Sequence, residues 1–94
     1  MMASNISFPS CAPEYCAPDL ALQFPALVDD RLVECSITAE ALEDHFGARS
    51  SREEDLVDAF IAHRAEIVLA AQRLLNEVGG KPVILHSGYF RFCD

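Results

Sequence analysis

The chain is poor in positive charge: seven Lys and Arg stand against fifteen Asp and Glu, for a net charge of −8 over 94 residues. A phosphate-binding surface needs clustered Lys and Arg that release counterions, so direct nucleic-acid binding is not expected. No run of 18 apolar residues occurs, and the opening Met1-Met2-Ala3-Ser4-Asn5 lacks the basic flank and apolar stretch of a secretory leader. The expectation is a cytoplasmic protein with no membrane segment, whose four cysteines are reduced thiols unless they bind metal. No serine has glycine on both sides in a nucleophile elbow, and no cofactor-binding motif occurs. The reading therefore leans away from an enzyme and names no catalytic residue and no cofactor.

What is present suits one small domain over residues 1–94, half apolar in composition. The acids are concentrated. Asp29, Asp30, Glu34, Glu40, Glu43, Asp44, Glu53, Glu54, Asp55 and Asp58 face only Arg31, Arg49 and Arg52 between positions 29 and 58. Solvated helix faces and acids in first helical turns account for such a segment, and a surface for a basic partner is the functional alternative.

Ile6 and Phe8 alternate and predict a short strand, followed by a loop over 9–19 with Pro9, Pro13, Pro18, Cys11 and Cys16. Leu22, Phe24, Ala26 and Val28 alternate along one run, and Val33, Cys35 and Ile37 along the next, with Asp29-Asp30 between them. A two-residue loop sets Val28 opposite Arg31, Ala26 opposite Val33, Phe24 opposite Cys35 and Leu22 opposite Ile37, so the apolar sets share a face. Pro25 has no amide proton and must face an edge or a bulge.

Thr38 predicts the N-cap of a short helix that stops at Gly47. Ser51 with Glu54 matches a capping box, and the apolar stripe from Leu56 to Val78 reads as one helix over 52–78, ending at Gly79-Gly80. At 1.5 Å per residue that helix spans roughly 40 Å, longer than the ~30 Å width of a compact chain, and Leu69 lies outside its stripe. Both features point to self-association as a homodimer. A last strand follows, from Val83 to Phe92, bent at Gly88. The expected fold is α+β: a small antiparallel sheet of three to four strands, in the chain order β-β-β-α-α-β, with a short and a long helix on one face.

Phe24-Pro25-Ala26-Leu27-Val28, the acidic turn, Val33-Glu34-Cys35-Ser36-Ile37-Thr38, Ala41-Leu42-Glu43-Asp44-His45-Phe46-Gly47, and Ala59-Phe60 with His63-Arg64 resemble the family called domain of unknown function 1488 over about residues 5–92. The resemblance implies a small bacterial protein with a sheet and two helices in this order. It transfers no activity, ligand or site residue, and the residues that carry it exclude the Cys11 to Cys16 loop.

Arg64 projects from the middle of the long apolar stripe, and a guanidinium there must snorkel to water or meet an acceptor. In the structural reading its head pairs with Glu34, Asp44 or a backbone carbonyl and fixes helix against hairpin. In the functional one it joins His63 and Arg31 to bind the carboxylate or phosphate of a ligand. Cys11 and Cys16 have the spacing of a zinc pair that Cys35, Cys93 or His86 could complete, or of a disulfide, but no second close pair accompanies them. His86-Ser87-Gly88 offers a nucleophile beside a histidine, yet neighbours in a strand point to opposite faces. His45 and His63 are expected to cap or pack. The leading functional expectation is a non-enzymatic protein-interaction module. An acidic DNA-mimic inhibitor of a basic nucleic-acid-binding protein, and a small-ligand or metal-binding protein, are the alternatives.

Overall fold

The computed structural model describes residues 5–91. One mixed sheet is built from β1 (Ile6–Ser7), β2 (Glu14–Cys16), β3 (Ala21–Val28), β4 (Arg31–Thr38) and β5 (Val83–Leu85). The helices are α1 (Ala39–His45), α2 (Glu53–Ala62), α3 (Arg64–Val78) and α4 (Ser87–Arg91).

The β3–β4 hairpin has the register that its alternation requires: Val28 opposite Arg31, Ala26 opposite Val33, Phe24 opposite Cys35 and Leu22 opposite Ile37. Its loop is the pair Asp29-Asp30, both at positive φ (51° and 70°), the conformation whose twist matches that of the flanking strands. Asp29 is held by Asn5, whose amide donates to its Oδ1 at 2.9 Å and whose carbonyl accepts its amide proton.

On the other side of β3, β1 pairs with Leu27 and Val28 while β2 pairs with residues 21 to 23. Hydrogen-bonded and non-bonded pairs alternate away from the turn, so Pro25 is non-bonded towards β4 and its nitrogen points at the gap between β1 and β2. Proline thus stands where no donor is required. By sequence, residues 9–19 read as loop throughout. The three-residue β2 inside it is stabilised by the free edge of β3, a partner that no local pattern reveals.

Two further expectations are corrected. The last strand is only Val83–Leu85 and runs parallel to β4, because α2 and α3 carry the chain back along the sheet before it enters. Residues 87–91 are helical, with Tyr89 N donating to the His86 carbonyl at 3.0 Å as the turn closes. The single helix over 52–78 is two. The chain breaks at His63 (φ −121°, ψ 26°), whose amide is shared between the carbonyls of Ala59 and Phe60, and the His63 ring lies 5.4 Å from that of Phe46. The buried positions keep one phase across the break, Leu56, Ala59 and Phe60 before it and Ile67, Ala71 and Leu75 after it. The stripe is therefore continuous although the helix is not, and overhang of one long rod no longer argues for a dimer.

Thr38 caps α1 as expected, its Oγ1 accepting from Ala41 N at 3.1 Å. The capping box at Ser51 does not form. Arg52 is the N-cap residue with no side-chain bond, and Ser50 Oγ instead donates to Asp55 at 2.6 Å while accepting from the Arg52 amide. Past the Gly79 cap of α3, Gly80 places its amide on the Leu75 carbonyl at φ 84°, so close to the hairpin that an added Cβ would lie 3.0 Å from Val28 Cγ1.

All helices pack on the side of the sheet that carries Leu22, Phe24, Ala26, Val28, Val33, Cys35, Ile37, Val83 and Leu85. The core continues through Leu42, Leu56, Phe60, Ile67 and Leu75, with the Phe24 and Phe60 rings 5.1 Å apart.

Candidate functional site

Arg64 opens α3 and reaches neither Glu34 nor Asp44. Its Nη2 donates to the Pro9 carbonyl at 2.7 Å and its Nη1 to the Cys11 carbonyl at 3.2 Å, with the guanidinium carbon 5.5 Å from the centre of the Phe60 ring. The planar fork bridges two carbonyls that the turn at Pro9 leaves without ladder partners. The acceptor is thus backbone, and what is fixed to the helix is the segment between β1 and β2 rather than the hairpin.

The other residues grouped with Arg64 are dispersed. His63 Nδ1 is hydrogen-bonded to Glu66 Oε1 at 2.9 Å, Arg31 lies beside Gly80 at the hairpin end, Glu34 is exposed on the opposite face of the sheet, and Asp44 belongs to α1. No composite anion site of Arg64, His63 and Arg31 exists among them.

The structure does assemble Ser87 with His45 and Asp44, a grouping that the sequence does not suggest, where His86 beside Ser87 is the expected neighbour. Ser87 is buried at the start of α4, its Oγ donating to Asp44 Oδ2 at 2.7 Å and lying 3.2 Å from His45 Nε2, which is also 3.1 Å from the Ser87 carbonyl. The contacts run in the wrong order for a nucleophile. The hydroxyl proton goes to the carboxylate, and His45 Nε2 is engaged as donor to the serine carbonyl rather than free to accept from Oγ. The trio ties α4 to the end of α1, supported by Phe90 against His45 and edge-on to Phe46. The sequence signal that reveals it is the good N-terminal residue Ser87 followed by Tyr89 and Phe90, readable as a helix start once β5 is shortened.

Cys11 is exposed, Cys16 half-buried with its thiol 3.3 Å from Asp19 Oδ2, and Cys35 buried; all three are thiols, and Cys93 lies outside the described residues. Among the described residues no three His, Cys, Asp or Glu side chains gather as a metal site. Burial, with Glu34 next to it, pushes the Cys35 thiol up to about 11. It is a core group and not a nucleophile.

The acids of α1 and α2 form the outer helical side. Glu40, Glu43, Asp44, Glu53, Glu54 and Asp58 are exposed, and Asp55 is half-buried against Ser50. Asp29 and Asp30 are exposed at the hairpin tip.

The opposite face of the sheet has the reverse character. Gln23, Pro25 and Leu27 of β3, Leu32, Glu34, Ser36 and Thr38 of β4, and Ile84 of β5 point away from the helices, with Leu32 72% and Ile84 53% exposed. Glu34 is ionised among these eight, and Glu14 of β2, opposite Gln23, adds a second carboxylate to the same face. Where β1 and β2 part above Pro25, a depression of about 440 Å³ opens between Cys11, Glu14, Gln23, Leu32 and Glu34.

A family model described as protein of unknown function (DUF1488) matches residues 6–85. The chain belongs to the DUF1488 family. The match runs from β1 to the last residue of β5, through the Cys11 to Cys16 segment and Arg64, so the DUF1488 region contains the entire sheet and the first three helices. Helix α4 and the Ser87 contacts lie beyond it. No curated protein and no solved structure matches the chain. Among the described residues no helix is long and apolar enough to cross a membrane.

Proposed function

We propose that this DUF1488 protein is a non-enzymatic interaction module that works as a homodimer, two copies meeting through the helix-free face of the sheet. The carrying observation is the segregation of that face. Leu32 and Ile84 stand exposed on a surface whose ionised groups are Glu14 and Glu34, in a chain whose acids crowd the helical side. From strand rise and spacing, each of the 24 strand residues covers about 16 Å², roughly 400 Å² per copy. Face-to-face contact of two copies then removes about 800 Å² from the strands, the scale of a weak, reversible dimer interface. The geometry also keeps the two acidic sides outermost, separated by both sheets and well beyond a Debye length of about 10 Å, so the net charge of each copy opposes assembly only weakly.

In the assembled form α1 and α2 remain available to a basic protein partner, in the reducing cytoplasmic setting that suits its thiols. Sedimentation or light scattering at micromolar concentration tests the reading. A dimer mass for the native chain and a monomer mass for Leu32→Glu and for Ile84→Lys are expected. A native chain that stays monomeric at high micromolar concentration sinks it.

A further inference from the structure

A groove separates α3 from α1 and α4 on the helical side. One face of α3 supplies Glu66, Leu69, Ala70 and Arg73, spaced i, i+3, i+4 and i+7, and Phe46, Tyr89 and Phe90 stand opposite. The cavity is about 310 Å³, the small end of the range for ligand sites, enough for one ring and a short substituent. Its floor exists because position 70 is alanine: a larger side chain there would fill the gap between helix and rings. Leu69, 49% exposed and unexplained by the core stripe, is one wall.

The polar groups of the groove are unequal. Glu66 already holds the His63 ring at 2.9 Å, and His45 is committed to Ser87. Arg73 has no hydrogen bond or ion pair among the described residues. A guanidinium lining the same cavity as aromatic rings matches a planar oxyanion, since its fork donates two parallel bonds to a carboxylate. Glu66 is seven residues away, about 10 Å along the helix axis, so salt screens its repulsion of an anion held at Arg73. That separation also excludes an amino acid spanning both ends, because its ammonium and carboxylate are far closer together.

We propose that this groove is a binding site for a small aromatic carboxylate, its ring against Phe90, Tyr89 and Leu69 above Ala70 and its carboxylate on Arg73. The site is independent of the dimer face, which lies across the sheet.

Titration of the full chain with phenylacetate, followed by NMR of side-chain and amide signals, tests it. Saturable shifts are expected at Leu69, Ala70, Tyr89 and Phe90, with at least about tenfold weaker binding of neutral phenylacetamide and of phenylacetate to Arg73→Gln. Arg73 is exposed, so that variant should melt as the native chain does; Ala70→Leu should abolish the shifts by filling the floor. Equal affinity for the amide and the acid, binding unaffected by Ala70→Leu, or absence of shifts at these residues would each overturn the assignment.

Discussion

Replacing Arg64 by alanine removes two hydrogen bonds from a guanidinium and one ring contact at the seam between the helical layer and the segment joining β1 to β2. Charge-assisted bonds contribute roughly 1.5 to 3 kcal/mol when shielded and less when wet. The 2.7 Å bond to Pro9 is partly buried and is taken at about 1.5 kcal/mol, and the exposed 3.2 Å bond to Cys11 at about 0.5. The Phe60 contact adds about 0.5 kcal/mol. The sum is about 2.5 kcal/mol, and with an unfolding entropy of ~2.1 cal/mol/K per residue the melting midpoint should fall by about 12 °C. Arg64→Met keeps the stem against the core but loses the bonds, so most of the fall should persist in it. The damage should also be local. The Cys11 amide, which donates to the Pro9 carbonyl, should exchange at least about tenfold faster, while amides in the middle of α3 follow global stability. A midpoint lowered by less than about 4 °C, with Cys11 exchange unchanged, refutes the reasoning, since under 1 kcal/mol would then be attached to these contacts.

Asp30→Gly should raise the melting midpoint by a few degrees, because residue 30 sits at φ 70° and glycine relieves roughly 1 kcal/mol of left-handed strain. Gly47→Ala and Gly80→Ala form a matched pair: both positions have positive φ, but only at Gly80 does the new Cβ meet Val28, at 3.0 Å. Chemical denaturation should therefore show a loss of about 1 kcal/mol at position 47 and about 2 or more at position 80, and equal losses would discount the close approach. Cys35, raised from 9.0 to about 11 by burial, binds its proton in the folded chain where the unfolded chain has lost it. Stability from this group is complete below pH 9 and falls between about 9 and 11, by roughly 2 to 3 kcal/mol in all. Cys35→Ala should flatten that alkaline limb. An unchanged limb would assign it to other groups.

The hairpin was legible in the sequence because each of its determinants is local. Apolar alternation sets the faces, two aspartates tolerate positive φ, and the pairing of Phe24 with Cys35 follows once the loop length is fixed. The same holds for the Thr38 cap and for Gly79 closing α3 at φ 73°. Membership of DUF1488 was legible for a related reason, since its motifs lie in these elements. The break at His63 was not legible: no proline or glycine marks it, the apolar phase runs straight through, and its supports are the Phe46 ring and Glu66. β2 was hidden because its stability comes from the edge of β3, and α4 because Ser87 to Arg91 acquires its anchorage from Asp44 and His45, over forty residues away.

Sequence alone thus determined the α+β class, the hairpin and its register, the inward face of each strand, and the need for Arg64 to find an acceptor within an apolar stripe. Tertiary structure decided which acceptor that is, the parallel entry of β5, and the gathering of Ser87 with Asp44 and His45. It also decided which sheet face the helices leave bare and the groove between Ala70 and Phe90. The division has one physical cause. Periodicity, capping and turn strain are energies of neighbours along the chain, whereas the carbonyls of Pro9 and Cys11, more than fifty residues from Arg64, become its partners only when packing brings them within bonding distance.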